Sequence, residues 1–149
     1  MNDKFMNLAI EEAQKAFLID EVPVGCVIVR DDRVVSKAYN KKEKMCCASK
    51  HAEVLAVEKA SKKLNNWRLE GCDVYVTLEP CPMCASLLKQ ARVNHIYCGL
   101  SNSDTTNYEI VKQILNKDKN NSHVLISNDL AVEKVSELMK KFFVKKRNK

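Results

Sequence analysis

The sequence predicts an α/β fold, a three-layer α/β/α domain with a five-stranded mixed sheet. Helical patterns lie between most of the successive strand-like segments, and this order needs crossover connections and at least some parallel strands. The first two strand-like segments are separated only by Asp31 and Asp32, which predicts an antiparallel hairpin. A length of 149 residues is typical of one domain. Residues 1–149 are therefore predicted to form a single domain.

The N-terminal part is predicted to form a helix, the hairpin and a loop. Apolar residues recur at helical spacing over residues 3–18, which predicts an amphipathic helix. The helix breaks before Pro23, and the hairpin strands are predicted over residues 26–29 and 33–39. The next stretch, residues 40–50, is polar and rich in lysine, so we expect a loop there.

The rest of the chain is predicted to alternate between helix and strand. The segment DVYVTL, from Asp73 to Leu78, alternates in polarity and is rich in β-branched and aromatic residues, as strands are. Pro82 suits the first turn of a helix, where its missing N–H would have no partner. The predicted helices span residues 52–64, 80–92, 108–115 and 130–144. The predicted strands between them span residues 73–78, 95–99 and 123–127.

The excess of basic residues that gives the formal net charge of +6 is confined to one segment. Residues 139–149 (MKKFFVKKRNK), the basic C-terminal helix and tail, contain six Lys or Arg residues and no acid, and the rest of the chain balances its charges. An excess in one segment favours a polyanionic partner that is bound at one place. A solvated, frayed C-terminus is the alternative. Phe142 and Phe143 favour a docked helix at least up to that point.

Neither a membrane span nor a secretion signal is predicted. The longest apolar stretch, VPVGCVIV from Val22 to Val29, is far shorter than the ~20 residues that cross a bilayer. The N-terminal segment MNDKFMNLAIEE carries acids early and lacks the basic-then-apolar order of a signal peptide. The sequence therefore predicts a cytoplasmic protein without membrane contact.

Seven cysteines are many for an intracellular chain. The odd count and the adjacent pair Cys46 and Cys47 fit poorly with a disulfide framework. Free thiols can instead act as metal ligands. Cys26, Cys72 and Cys98 lie in or beside apolar strand-like runs, so we expect them to be small buried hydrophobic residues without a chemical role.

His51, Cys81 and Cys84 have the residue types and spacing of a catalytic zinc site. Each of the two segments that carry them is predicted to open a helix. One neutral imidazole and two thiolates make a neutral three-ligand site with the fourth position open, and that open position separates catalytic from structural zinc. Cysteines three apart on a first helical turn can reach one ion, and a helix N-terminus stabilises the thiolate form.

Glu53 is predicted to be the acid–base residue of this site and not a ligand. Residues two apart point to nearly opposite faces of a regular helix. His51 and Glu53 can therefore face one place only if His51 lies at the helix entry, before the regular twist begins. A carboxylate beside the metal can accept a proton from the attacking water and return it to the substrate. Alone, a His or Glu at a helix start is more often a cap or a surface residue.

The combination of motifs is more specific than its parts. The chain contains H-A-E, then about thirty residues with a strand, then E-P-C-P-M-C, and this order is the H-x-E…P-C-x-x-C signature of zinc deaminases. Over nearly its whole length the chain resembles the tRNA adenosine deaminases of the cytidine-deaminase-like superfamily. The matching segments are Glu21–Gly25 (EVPVG), Tyr39-Asn40, His51–Glu53 (HAE), Tyr75–Cys84 (YVTLEPCPMC) and the Phe142-Phe143 basic tail.

The resemblance implies the cytidine-deaminase-like fold, one zinc ion per subunit and a homodimer. It also implies conversion of adenosine to inosine at the wobble position of tRNA, with the anticodon loop as partner. Asn40 and Val24 should line the base pocket, and the basic tail should face the RNA. Considered without the family, Val24 is a core residue and Asn40 a turn residue that closes its strand.

Two segments depart from the family pattern. Residues 100–108 (LSNSDTTNY) contain no glycine, whereas bacterial members usually carry a glycine-rich loop with an Arg-Asp pair near its start. Residues 46–50 (CCASK) stand where Asp-Pro-Thr-Ala is common. Both segments flank the nucleic-acid-facing site of the family, so they concern the choice of substrate and leave the zinc site untouched.

Three alternative functions fit parts of the pattern. The nearest is a deaminase of a free base or nucleoside (guanine, cytosine or cytidine), because E-P-C-P-M-C also occurs in guanine-deaminase-like relatives. A non-catalytic zinc module that binds RNA would explain the ligands and the tail but not Glu53. A thiol redox protein would use Cys81 and Cys84 and would leave His51 and Glu53 unexplained.

Overall fold

The computed structural model describes residues 3–101, 105–116 and 124–148. These residues form five helices and five strands. The helices are α1 (Asp3–Leu18), α2 (Ala52–Leu64), α3 (Pro82–Gln90), α4 (Thr105–Asn116) and α5 (Val132–Arg147). The strands are β1 (Gly25–Arg30), β2 (Arg33–Tyr39), β3 (Cys72–Leu78), β4 (His95–Leu100) and β5 (Leu125–Ser127).

The five strands form one mixed sheet in the order β2-β1-β3-β4-β5. Strand β1 pairs antiparallel with both β2 and β3, while β3–β4 and β4–β5 are parallel. Asp31 and Asp32 join β1 to β2 with φ of 51° and 60°, the left-handed pair that a tight two-residue hairpin turn requires. The predicted mixed sheet and hairpin are therefore confirmed.

Helices cover both faces of the sheet, as the three-layer prediction requires. One core cluster contains buried residues of α2, α3 and α4 together with side chains of the central strands. The other contains buried residues of α1 and α5 against the opposite sheet face. Cys26, Cys72 and Cys98 are fully buried in the first cluster, which confirms that they are apolar core residues.

Helix α1 lies unusually close to strand β1, and the sequence of both elements permits this. A Cβ atom on Gly25 would lie 2.0 Å from the Ala9 carbonyl oxygen and 2.5 Å from the Ala13 nitrogen. Only glycine fits at this position. The close approach fixes the middle of α1 against the start of β1.

Several boundaries differ from the prediction. Helix α4 begins at Thr105, three residues before the predicted start. The prediction missed these three residues because they are polar and add nothing to the apolar pattern. Helix α3 ends at Gln90, and α5 runs from Val132 to Arg147. The predicted start of the fifth strand, His123, and residues 117–122 before it lie outside the described residues. No described helix combines the length and apolar character that a bilayer crossing needs.

Candidate metal centre and base pocket

His51 and Cys81 each occupy the N-cap of a helix. His51 precedes α2 with an extended backbone (φ −74°, ψ 158°), and Cys81 precedes α3 in the same way (φ −70°, ψ 170°). Pro82 then begins α3, where a missing N–H costs nothing. The extended conformation of His51 is the condition under which His51 and Glu53 can face one place. His51 therefore lies at the helix entry, as predicted.

The three predicted ligands converge on one point. The Nδ1 atom of His51 lies 3.8 Å from the Cys81 sulfur and 3.5 Å from the Cys84 sulfur. All three donor atoms lie within 4.8 Å of one another. Ligands at about 2.1–2.3 Å around a tetrahedral zinc ion lie roughly 3.5–3.8 Å apart. The donor types and their spacing therefore fit one zinc ion.

The two thiols differ in electrostatic state. A hydrogen bond with Cys84 lowers the pKa of Cys81 to about 4. The same hydrogen bond, together with burial, raises the pKa of Cys84 above its ordinary value. In the protein without metal, one thiolate and one thiol thus share a proton between them. Binding of zinc displaces that proton, because the metal takes thiolates as ligands.

Glu53 is a buried carboxyl group beside the ligand cluster. It lies in the first turn of α2, and only 3% of its surface is exposed. Burial raises its pKa to about 7, although the neighbouring side chain of Cys84 lowers it. A carboxyl group with a pKa near neutrality can both accept and donate a proton at physiological pH.

A pocket of about 220 Å³ opens beside the cluster. Its lining residues are Val22, Val24, Asn40, Lys42, His51, Ala52, Glu53, Leu78, Glu79 and Cys81. Val24 and Asn40 are both among these lining residues. Their alternative roles are present as well, since Val24 packs against the core and the Asn40 side-chain oxygen accepts from the Lys42 N–H in the turn after β2. The pocket thus combines apolar side chains with polar and titratable ones.

The pocket is also lined by Val22, Lys42, Leu78 and Glu79, a role that was not predicted from the sequence. Glu79 stands directly before the Pro80-Cys81 pair of the signature, so its position in the motif was a signal. Its buried carboxylate accepts a hydrogen bond of 3.0 Å from the Asn128 side chain, which ties the end of β3 to the segment after β5. Lys42 had no comparable signal, because a lysine in a loop is usually solvated.

The C-terminal helix docks on α1 through one of its two predicted aromatic residues. Phe142 is buried and lies edge-on to Phe17, with ring centroids 6.4 Å apart, whereas Phe143 is 48% exposed. Lys145 and Lys146 approach Asp20 at 3.7 Å and 3.3 Å. The tail is therefore helical up to Arg147, and part of its positive charge is paired within the chain.

Similarity to known proteins agrees with this geometry. Residues 1–100 match the family model described as the cytidine and deoxycytidylate deaminase zinc-binding region. The tRNA-specific adenosine deaminase of Aquifex aeolicus (strain VF5) is 38% identical over 144 residues, which cover 97% of this chain and 95% of that protein. The chain belongs to the tRNA-specific adenosine deaminase family. Zinc is thus the metal that this deaminase chain binds.

The solved structures extend the comparison to the fold. One, from a study of A-to-I editing by tRNA:A34 deaminases at the wobble position of transfer RNA, has a TM-score of 0.84 and 33% identity, and the match covers 92% of this chain and 99% of that one. A guanine deaminase from Nitrosomonas europaea has a TM-score of 0.80 at 16% identity, with 97% of this chain and 85% of that one covered. The fold is therefore common to deaminases of different substrates.

Proposed function

We propose that the chain is a zinc-dependent hydrolase that converts adenosine to inosine at the wobble position of tRNA and releases ammonia. The observation that carries the proposal is the position of Glu53. Its buried carboxyl lines the same pocket as His51 and Cys81. A structural zinc site has four protein ligands and no use for a buried carboxyl, whereas a catalytic site keeps one position open.

His51 Nδ1 and the sulfurs of Cys81 and Cys84 would hold the metal. When bound, zinc supplies Lewis acidity that lowers the pKa of water towards ~7. Glu53 accepts a proton from the attacking water at its carboxylate and passes it to the ring nitrogen next to C6. It then takes the second proton of that water from the C6 hydroxyl group and delivers it to the departing amine, so that the C6–N bond breaks, ammonia leaves and a carbonyl oxygen remains on C6. Glu53 ends in the state in which it began.

The pocket walls would orient the base. Val22 and Val24 offer an apolar face, and Asn40 offers an amide close to it. A volume of about 220 Å³ suits one purine base and excludes bulk water once the base is seated. A base can enter only after leaving its stack, and an anticodon loop presents bases that are already unpaired.

The support for RNA as substrate comes from the relatives and from charge. The Aquifex aeolicus relative, at 38% identity, is named a tRNA-specific adenosine deaminase, while the guanine deaminase shares the fold at only 16% identity. Exposed cations of α5, including Lys140 and Arg147, would bind phosphates of the RNA. Binding through phosphates makes affinity fall as salt rises.

Assembly and location are part of the same proposal. The family resemblance supports a homodimer, a single domain over residues 1–149 and a location in the cytoplasm, where tRNA is present. Light scattering on the purified chain would test the dimer: a mass of twice 17.0 kDa is expected, and a monomer at working concentration would contradict it.

A side-by-side activity assay tests the substrate class. The purified zinc protein is incubated with an anticodon stem-loop that carries adenosine at the wobble position, and separately with free guanine, cytosine, cytidine and adenosine. Release of ammonia from the stem-loop alone supports the proposal. Turnover of a free base or nucleoside at a comparable kcat/KM, without action on the RNA, would favour the rival enzyme.

A further inference from the structure

Glu21, three residues after the end of α1, is a buried carboxylate next in sequence to the pocket-lining residue Val22. Asp20 adopts a left-handed conformation (φ 67°), and the backbone N–H of Glu21 donates to the Ala16 carbonyl at 3.0 Å. This C-terminal arrangement ends the helix and turns the Glu21 side chain inward, where only 1% of the residue is exposed. A buried carboxylate is costly unless its oxygens accept hydrogen bonds.

Both carboxylate oxygens of Glu21 accept backbone hydrogen bonds from a distant loop. Oε1 accepts from the Glu43 N–H at 3.0 Å, and Oε2 accepts from the Lys44 N–H at 2.6 Å. The loop in question, residues 40–50, connects the end of β2 to the ligand His51. Charge-assisted hydrogen bonds of this kind are among the strong ones in proteins. Glu21 therefore anchors the loop to the end of α1.

Two further hydrogen bonds join the same two segments into one pocket wall. The Asn40 backbone N–H donates to the Val24 carbonyl at 3.0 Å, and its side-chain amide donates to the Val22 carbonyl at 3.2 Å. The Lys42 N–H donates to the Asn40 side-chain oxygen at 3.2 Å. All four of these residues line the pocket, whereas Glu21 is not among its lining residues.

We infer that Glu21 is a positioning residue for base recognition: it holds the loop so that Asn40 and Lys42 meet the substrate, and it takes no part in the proton transfers. This inference rests on the proposed function. The site then has two parts that are positioned by different elements. The metal and Glu53 are placed by the entries of α2 and α3, while the wall around Asn40 is placed by Glu21.

The amide Glu21→Gln keeps the size of the side chain and removes its charge. One of its two terminal atoms becomes an NH₂ donor that faces a backbone N–H, so one hydrogen bond is lost and two donors oppose each other. Glu12→Gln is the matched control, because Glu12 is also a buried carboxylate of the N-terminal helix region, paired with Lys15 at 2.6 Å and away from the pocket.

Steady-state kinetics and amide exchange on the zinc-loaded proteins test the inference. In Glu21→Gln we expect KM for the stem-loop to rise about ten-fold, kcat to stay within about two-fold, and zinc content to remain complete. Exchange of the Glu43 and Lys44 amide protons, followed by NMR, should accelerate about ten-fold, while the amides of α2 stay protected. Glu12→Gln should lower thermal stability and leave KM and the loop amides unchanged.

An unchanged KM, or unchanged exchange at Glu43 and Lys44, would overturn the inference. A fall in kcat with loss of zinc would also overturn it, because Glu21 would then support the metal site. Failure of the proposed function would look different, since the wild-type protein would not act on the RNA at all. In that case faster exchange in Glu21→Gln, without zinc loss, would still support the anchoring of the loop.

Discussion

The Nδ1 atom of His51 lies 3.5 Å from the sulfur of Cys84, although 33 residues separate them in the chain. Each of these residues belongs to the N-terminal end of a helix, and the two helices follow different strands of the fold. The contact exists because the layer of helices on one sheet face brings those two ends together. The metal centre is thus a property of the three-layer architecture and is not confined to either motif.

Replacing Glu53 by alanine is expected to stop turnover and to spare the metal. The carboxyl lies beside the ligand cluster but supplies none of its three donor atoms. Loss of a general acid–base group reduces kcat by about 10²–10⁴-fold. Single-turnover kinetics combined with metal analysis checks both parts. Near-normal rates in this variant would rule out Glu53 as the proton carrier.

Cys84→Ala should lose zinc, and Cys98→Ala should keep it. Both sulfurs are buried, so the pair separates ligation from the loss of a buried thiol. Removing one of three protein ligands leaves a site too weak to retain the ion through dialysis. Atomic emission analysis of the dialysed proteins gives the answer. A full zinc complement in Cys84→Ala would exclude Cys84 as a ligand.

Zinc affinity should rise with pH because binding releases protons. Near pH 7 the thiol of Cys81, with a pKa of about 4, is already ionised, while the raised pKa of Cys84 keeps its proton in place. Zinc needs both thiolates and a neutral imidazole, and the hydrogen bond with Cys81 raises the pKa of His51. At least one proton therefore leaves, and affinity should fall by at least about ten-fold per unit as pH drops from 8 to 6. Calorimetry in two buffers of different ionisation enthalpy counts the protons. A pH-independent affinity would contradict this description of the thiols.

Gly25→Ala should destabilise the fold far more than Gly71→Ala. The new methyl group at position 25 would collide with backbone atoms of Ala9 and Ala13, which cannot move independently of α1. We expect a loss at or above the upper end of the ~1–3 kcal/mol typical of overpacking. Gly71 has φ of +78° with nothing within 4 Å of an added Cβ, so alanine there costs about 1–2 kcal/mol for its left-handed backbone. Urea unfolding compares the two, and equal losses would argue against the tight α1–β1 contact.

The sequence was sufficient for the parts of the site that depend on local structure. A polar loop that ends at His51 and a proline after Cys81 both predict helix entries, and the structure has those residues at N-caps. The burial of Cys26 and Cys98 followed from the apolar strands around them. Each of these predictions needed only neighbours within a few residues.

Other features depend on contacts between distant segments and could not be predicted. The strand order places β1 between β2 and β3, and nothing local to β1 states which strand lies on its second edge. The bonds from Glu21 to the amides of Glu43 and Lys44 join segments 22 and 23 residues apart. The backbone partner of a carboxylate leaves no mark on the sequence, because every residue except proline has an N–H.

The central claim is that the chain deaminates a wobble adenosine with Glu53 as the proton carrier. The most direct measurement is mass spectrometry of an anticodon stem-loop after incubation with the zinc-loaded protein, with Glu53→Ala run in parallel. The account predicts a gain of about one mass unit at the wobble nucleoside, because an amine is exchanged for an oxygen, and no gain with the variant. An unchanged stem-loop with the wild-type protein, zinc being fully bound, would contradict the account.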